Sequence, residues 1–94
     1  MVHSLFSKKI FHVSKDQVSS NLGDEAVILD HQKGIYYGLN PTGAYVWNFI
    51  KKPKNFEEIC TAVAKQYDIE AARAEQDVAK LLTDMIKQGL VETK

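Results

Sequence analysis

The groups in this chain able to do chemistry are one thiol, Cys60, three imidazoles, His3, His12 and His31, and twelve carboxylates. A nucleophilic thiol needs a base or cation beside it to hold the thiolate, and a metal site needs ligands at fixed offsets along an element. Neither pattern can be read here. Cys60 stands between Ile59 and Thr61 on a helical pattern, without a base near it in sequence, and reads as a small apolar core residue. The histidines fall in the first residues, near a strand start and in a polar turn, and read as surface groups. Gly34, Gly38 and Gly43 lie at strand and helix edges rather than in the strand-loop-helix order that cradles phosphate. No catalytic residue, metal or cofactor is therefore expected. The work left to the chain is recognition.

Recognition needs a surface, and the stretch Gly34–Ile50 supplies one by running a strand directly into a helix. Ile35–Leu39 is β-branched and aromatic, Asn40 suits a helix N-cap, Pro41 suits the first helical position, and Ala44, Trp47 and Ile50 recur at helical spacing. Upstream, Val18, Ser20 and Leu22 alternate with Gln17, Ser19 and Asn21, and Gly23-Asp24 turns the chain into Glu25–Asp30. The polar segment His31–Gly34 then returns it as the third strand.

Downstream, Lys52-Pro53-Lys54 ends the first helix near Lys51. Asn55 caps a second helix, with Glu58 completing a capping box and Phe56, Ile59, Val63 and Tyr67 forming its buried stripe. A third helix runs from about Ala71 to Gln88 on a core face of Ala74, Val78, Leu81, Leu82, Met85 and Ile86. Gly89 stops it, and Leu90-Val91 is placed to return to the sheet. The expected fold class is α+β and winged-helix-like, a three-stranded antiparallel meander followed by three helices. Residues 1–16 read as an N-terminal tail or short extra strand, and residues 17–94 as one recognition domain.

Composition limits the partners. Ninety-four residues, 45% of them hydrophobic, suffice for one small core. Twelve basic and twelve acidic residues leave no net field, although residues 1–54 carry seven lysines against four acids and residues 55–94 five basic residues against eight acids. A winged-helix outline raises DNA binding as the alternative function. The third helix would be the reader, yet its polar side carries Glu70, Glu75, Asp77 and Asp84 against Arg73, Lys80 and Lys87, and the chain holds one arginine in all. Phosphate contact needs the opposite balance, and arginine is the usual reader of guanine. The lone cysteine, with no signal-peptide run and no apolar stretch long enough to span a bilayer, points to a soluble cytoplasmic protein with no membrane partner.

Glu25-Ala-Val-Ile-Leu-Asp30, then Gly34-x-Tyr-Tyr-x-Leu39-Asn40, Thr42-Gly43-Ala44 and Trp47, resemble the PqqD family, whose members are recognition elements for ribosomally made precursor peptides. Glu57-Glu-Ile59, Tyr67-Asp68, Asp77-Val78 with Leu81-Leu82, and Gly89-Leu90-Val91 extend the resemblance over about residues 17 to 92. It implies a non-catalytic protein that binds the leader of a precursor peptide and delivers it to maturation enzymes. In a lasso peptide pathway these are a leader peptidase and a cyclase; the alternative is a radical SAM system.

The resemblance also implies where the leader sits: as an added antiparallel strand on the third strand, in a groove walled by the third helix. On this sequence the strand contacts are Gly34, Ile35, Tyr36, Tyr37 and Gly38, with Gly38 giving the approaching backbone room. The helix contacts are Asp77, Lys80, Leu81, Asp84, Met85 and Gln88. Asp77, Leu81, Asp84 and Gln88 form one stripe at i, i+4, i+7 and i+11, which serves equally as a solvated helix face or as an acidic groove rim. Tyr36 and Tyr37 point to opposite faces, so only one can touch a leader from a given side. Trp47 reads as core, holding the first helix to the sheet.

Overall fold

The computed structural model describes Phe6, residues 8–15 and residues 17–94; of the segment 1–16 read as a tail or short extra strand, residues 1–5, His3 included, and residues 7 and 16 lie outside them. In chain order the elements are β1 (Ile10–Val13), β2 (Gln17–Leu22), β3 (Glu25–Asp30), β4 (Ile35–Leu39), α1 (Pro41–Phe49), β5 (Lys54–Asn55), α2 (Phe56–Tyr67), α3 (Ala71–Lys87) and β6 (Val91–Thr93). The meander β2-β3-β4 and the three helices stand where the sequence puts them, in a winged-helix-like α+β fold.

Local chemistry explains the boundaries. Gly23, at φ +67°, with Asp24 at negative φ, gives the two-residue β2–β3 turn the sign pattern of type II′, which matches the twist of the flanking strands. In the next turn the buried carboxylate of Asp30 accepts from the backbone N–H groups of Gln32 (3.0 Å) and Lys33 (3.2 Å), and its carbonyl accepts from Gly34 N–H (2.8 Å). That turn launches β4. Asn40 caps α1 by accepting from Gly43 N–H at 2.8 Å, with Pro41 at the first helical position. The capping box is complete in α2, where Glu58 N–H donates to Asn55 and Asn55 N–H donates to Glu58 at 2.8 and 2.9 Å.

A second sheet, β5-β1-β6, was not legible in the sequence. The expected return of Leu90-Val91 takes place, but β6 pairs with β1, through Val13↔Val91, His12↔Glu92 and Phe11↔Thr93, rather than with the meander. Phe11 is fully buried, and Phe6 packs edge-on against it and tilted against Phe56, with ring centroids 5.3 and 5.5 Å apart. The core joins Phe11, Ile28, Val46, Trp47, Ile50, Ile59, Val78, Leu82 and Leu90, so one hydrophobic mass ties both sheets to the helices. Truncating a buried aromatic ring removes its transfer energy and leaves a cavity, together about 3 kcal/mol or more. Phe11→Ala is expected to lower the unfolding free energy from urea titration by that amount, and a loss under about 1 kcal/mol would show β1 to be dispensable.

Candidate peptide-binding site

In the meander, opposed residues share a face, and the register sorts them into rows. The rows Gln17–Asp30–Ile35, Ser19–Ile28–Tyr37 and Asn21–Ala26–Leu39 face the helices. Val18–Leu29–Tyr36 and Ser20–Val27–Gly38 face away. The opposite orientations expected of Tyr36 and Tyr37 follow: Tyr37 packs on the core, and Tyr36 is 70% exposed.

Among the described residues, no strand pairs with the far side of β4. A two-residue turn closes on a hydrogen-bonded pair, here Leu22 with Glu25, so Glu25, Val27 and Leu29 bond towards β2 and the alternate residues Ala26, Ile28 and Asp30 towards β4. The Asp30 carbonyl, turned to Gly34, agrees with this phase. Tyr36 and Gly38, opposite Leu29 and Val27, therefore aim their N–H and C=O groups at the open edge. These groups are what an added strand would pair with.

Beneath that edge the helical layer stops short. Ile35 belongs to a helix-facing row, yet it is 45% exposed. Two long-range hydrogen bonds tie this end of the sheet to the end of α3: Lys33 Nζ, in the turn before β4, donates to the Gln88 carbonyl at 3.4 Å, and Gln17 Nε2, at the start of β2, donates to the Gly89 carbonyl at 3.3 Å. The β3–β4 turn and the start of β2 are thus tied to the C-terminal end of α3, and the Gln88–Asp84–Leu81–Asp77 stripe runs back along α3 from there. Leu81 is half-buried against the core, while Asp77, Lys80, Asp84 and Gln88 are exposed. Asp77 also lies 3.6 Å from Arg73. Met85 is 2% exposed and belongs to the core under the stripe. Sequence reasoning missed Lys33 and Gln17, because their partners stand 55 and 72 residues away and no local pattern signals them.

The groups with chemical potential are not gathered at this site. His12 hydrogen-bonds beside Val13 and stands 3.9 Å from Glu92, and His31 is exposed in the turn. Among the described residues no cluster of His, Cys, Asp and Glu could hold a metal ion. No helix there is long and apolar enough to cross a membrane. Cys60 lines a cleft of about 720 Å³ between α2 and α3, with Phe56, Ala64 and Ala71. Burial, and then the charge of Glu75, push its thiol from 9.0 up to about 12. The folded state therefore keeps a proton that the unfolded chain loses. Stability should be unaffected by this group below pH 9 and fall as pH rises from about 9 towards 12. Urea midpoints across that range should decline more steeply for the natural protein than for Cys60→Ala, and equal slopes would refute the shift.

The sequence model of the family described as coenzyme PQQ synthesis protein D (PqqD) matches residues 25–91. The chain belongs to the PqqD family. Among solved structures it is similar to TbiB1 in complex with the TbiA(beta) leader peptide, at 31% identity and a TM-score of 0.80, over 86% of this chain and 94% of that one. It also shares the fold of a lasso peptide synthetase B1 complexed with the leader peptide, at 23% identity and a TM-score of 0.76, over 87% and 96% of the two chains. No curated protein sequence matches it significantly. In this PqqD-family chain the open edge of β4 and the α3 stripe are the features to which a recognition role can be attached.

Proposed function

We propose that this protein is a non-catalytic leader-binding element that presents a ribosomally made precursor peptide to its maturation enzymes. The leader adds as an antiparallel strand on β4, bonding to the outward groups of Tyr36 and Gly38. Its side chains of one parity drop between Ile35 and Tyr37 on one side and Leu81, Asp84 and Gln88 on the other. Backbone pairing supplies affinity with little sequence demand, and the groove supplies selectivity. Holding the leader raises the local concentration of the precursor near the enzyme that modifies it.

The observation that carries this reading is the 31% identity, over nearly the whole chain, to a protein solved with a leader peptide. The likeness to a lasso peptide synthetase B1, also solved with its leader peptide, favours a lasso pathway, with a leader peptidase and cyclase as partners, over the radical SAM alternative. A single unpaired cysteine suits a cytoplasmic setting. Calorimetric titration with the synthetic leader of a ribosomally made precursor peptide is the test, with duplex DNA as control. Submicromolar leader binding, worth more than about 8 kcal/mol, is expected, with none to DNA. Binding to DNA alone would favour the winged-helix alternative.

A further inference from the structure

Backbone pairing fixes an added strand to a sheet edge but not its place along that edge. A shift of two residues keeps the ladder bonds and leaves every side chain on its own face. The edge of β4 offers no stop against such sliding, because Ile35, Tyr36, Tyr37, Gly38 and Leu39 are all uncharged. One register therefore has to be selected at an end of the strand, and the two ends differ. Beyond Leu39 the chain enters α1 through Asn40, whose side-chain oxygen is engaged with Gly43 N–H, and Pro41, which has no N–H to give. Before Ile35, in the turn, stands Lys33.

The backbone of Lys33 is held from below by the buried Asp30 carboxylate, which accepts its N–H at 3.2 Å, so the side chain leaves the turn from a fixed base. It crosses to the end of α3, where Nζ donates to the Gln88 carbonyl at 3.4 Å and lies 3.9 Å from the place a Cβ on Gly89 would take. A cation beside the last carbonyls of a helix is favourable in itself, which accounts for its position. That one bond is long, however, and an ammonium carries three donors. Among the described residues the ion pairs join His12 with Glu92 and Arg73 with Asp77, and no carboxylate pairs with Lys33. An exposed charge and two donors are left over where β4 begins.

We infer that Lys33 sets the register of the bound leader by pairing with a carboxylate of the leader, an aspartate or glutamate just past the segment that pairs with β4. The inference rests on the leader-binding reading above and adds a specificity-determining residue and the chemical class of side chain it selects. An antiparallel leader runs from Leu39 towards Ile35, so its C-terminal end leaves the sheet past Gly34 and Lys33. The leader residue opposite Tyr36 points outward, and the next one covers Ile35 in the helix-facing row. Two residues further on, the leader comes level with Lys33 with a side chain on that same helix-facing side, the side on which Nζ reaches α3. The selected pattern is an apolar residue followed two positions later by an acidic one. Sliding back by two residues would put the carboxylate over Ile35, stripped of water without a partner, and sliding forward would carry it past the turn and away from the ammonium.

The test is calorimetry on the full chain with the synthetic leader of a ribosomally made precursor peptide, and with variants of that leader in which each aspartate or glutamate is replaced singly by its amide. One replacement alone should weaken binding, by about five- to tenfold, at a position two residues after an apolar one. Lys33→Glu should weaken binding of the natural leader by about tenfold or more, and a leader carrying lysine at the sensitive position should bring affinity on Lys33→Glu back to within about threefold. A side chain that only caps α3 gives no such recovery. The amide variants probe the pairing on the unsubstituted protein, so the inference is tested even where Lys33→Glu folds poorly. A bound leader that tolerates every amide replacement, or that has no carboxylate past its paired segment, would overturn the inference and leave the leader reading intact. So would a loss in Lys33→Glu that no lysine-bearing leader repairs. Failure of the unsubstituted protein to bind leader would remove the reading beneath the inference, and the inference with it.

Discussion

Gly38→Pro is expected to fold normally and to lose leader binding by thirty- to a hundredfold or more. Proline is tolerated in a sheet only where its missing N–H was not part of the ladder, and it forces the residue before it into extended backbone. Both conditions hold at this position. The amide of Gly38 points to the open edge, and Tyr37, before it, is already in a strand. The fold therefore loses no β3–β4 hydrogen bond. The leader loses the Gly38 donor, and the ring takes up the space its backbone would enter, so a neighbouring bond is lost as well. Two bonds at about 1 kcal/mol net each, with some steric exclusion, come to roughly 2–3 kcal/mol. Gly38→Ala is the companion variant: it keeps the amide, its Cβ meets open space, and leader affinity should stay within about threefold. A folded Gly38→Pro protein with undiminished affinity would end the strand-addition reading.

Those elements of the fold that are fixed by local chemistry were the ones legible in the sequence. Gly23-Asp24, the Asp30–Gly34 turn, Asn40-Pro41 and the Asn55/Glu58 box each act within a few residues, and they set the ends of β2, β3, β4, α1 and α2 as expected. The second sheet was hidden for the converse reason. β1, β5 and β6 are four, two and three residues long, too short to show a period, and they pair residues 10–13 with 54–55 and 91–93. The site divides along the same line. The open β4 strand and the α3 stripe are local patterns, but the Lys33 and Gln17 bonds that tie the end of α3 to this end of the sheet depend on the folded chain. Alternation misleads in β2. Taken alone it would send Val18 and Leu22 inward, whereas the register turns Gln17, Ser19 and Asn21 to the helices. Gln17 reaches the Gly89 carbonyl and Asn21 accepts from Asn48 at 3.0 Å. Polar residues face the helical layer there because they have partners on it, and the apolar ones are left on the outward face.

Leu81→Asp should weaken leader binding by at least thirtyfold, while Lys52→Ala leaves it within twofold. Leu81 is the apolar member of the α3 stripe, half-buried against the core and flanked one turn away on either side by Asp77 and Asp84. A leader side chain covering it would gain part of the 1.5–3 kcal/mol that full burial of a leucine provides. Aspartate forfeits that gain and requires a third carboxylate to be desolvated when the groove fills. Losses of about 2 kcal/mol or more follow, beyond tenfold by themselves. Because Leu81 is only partly buried, the cost to folding should be smaller than the cost to binding, and thermal unfolding of the free variant checks this directly. Leu81→Ala separates the two contributions, since it removes packing without adding charge and should cost about tenfold. Lys52 sits in the exposed turn between α1 and β5, away from both β4 and the α3 stripe, so its charge is the control for a non-specific electrostatic pull on the leader. Equal effects of Leu81→Asp and Lys52→Ala would mean that the leader lies elsewhere on the molecule, whatever the open edge of β4 offers.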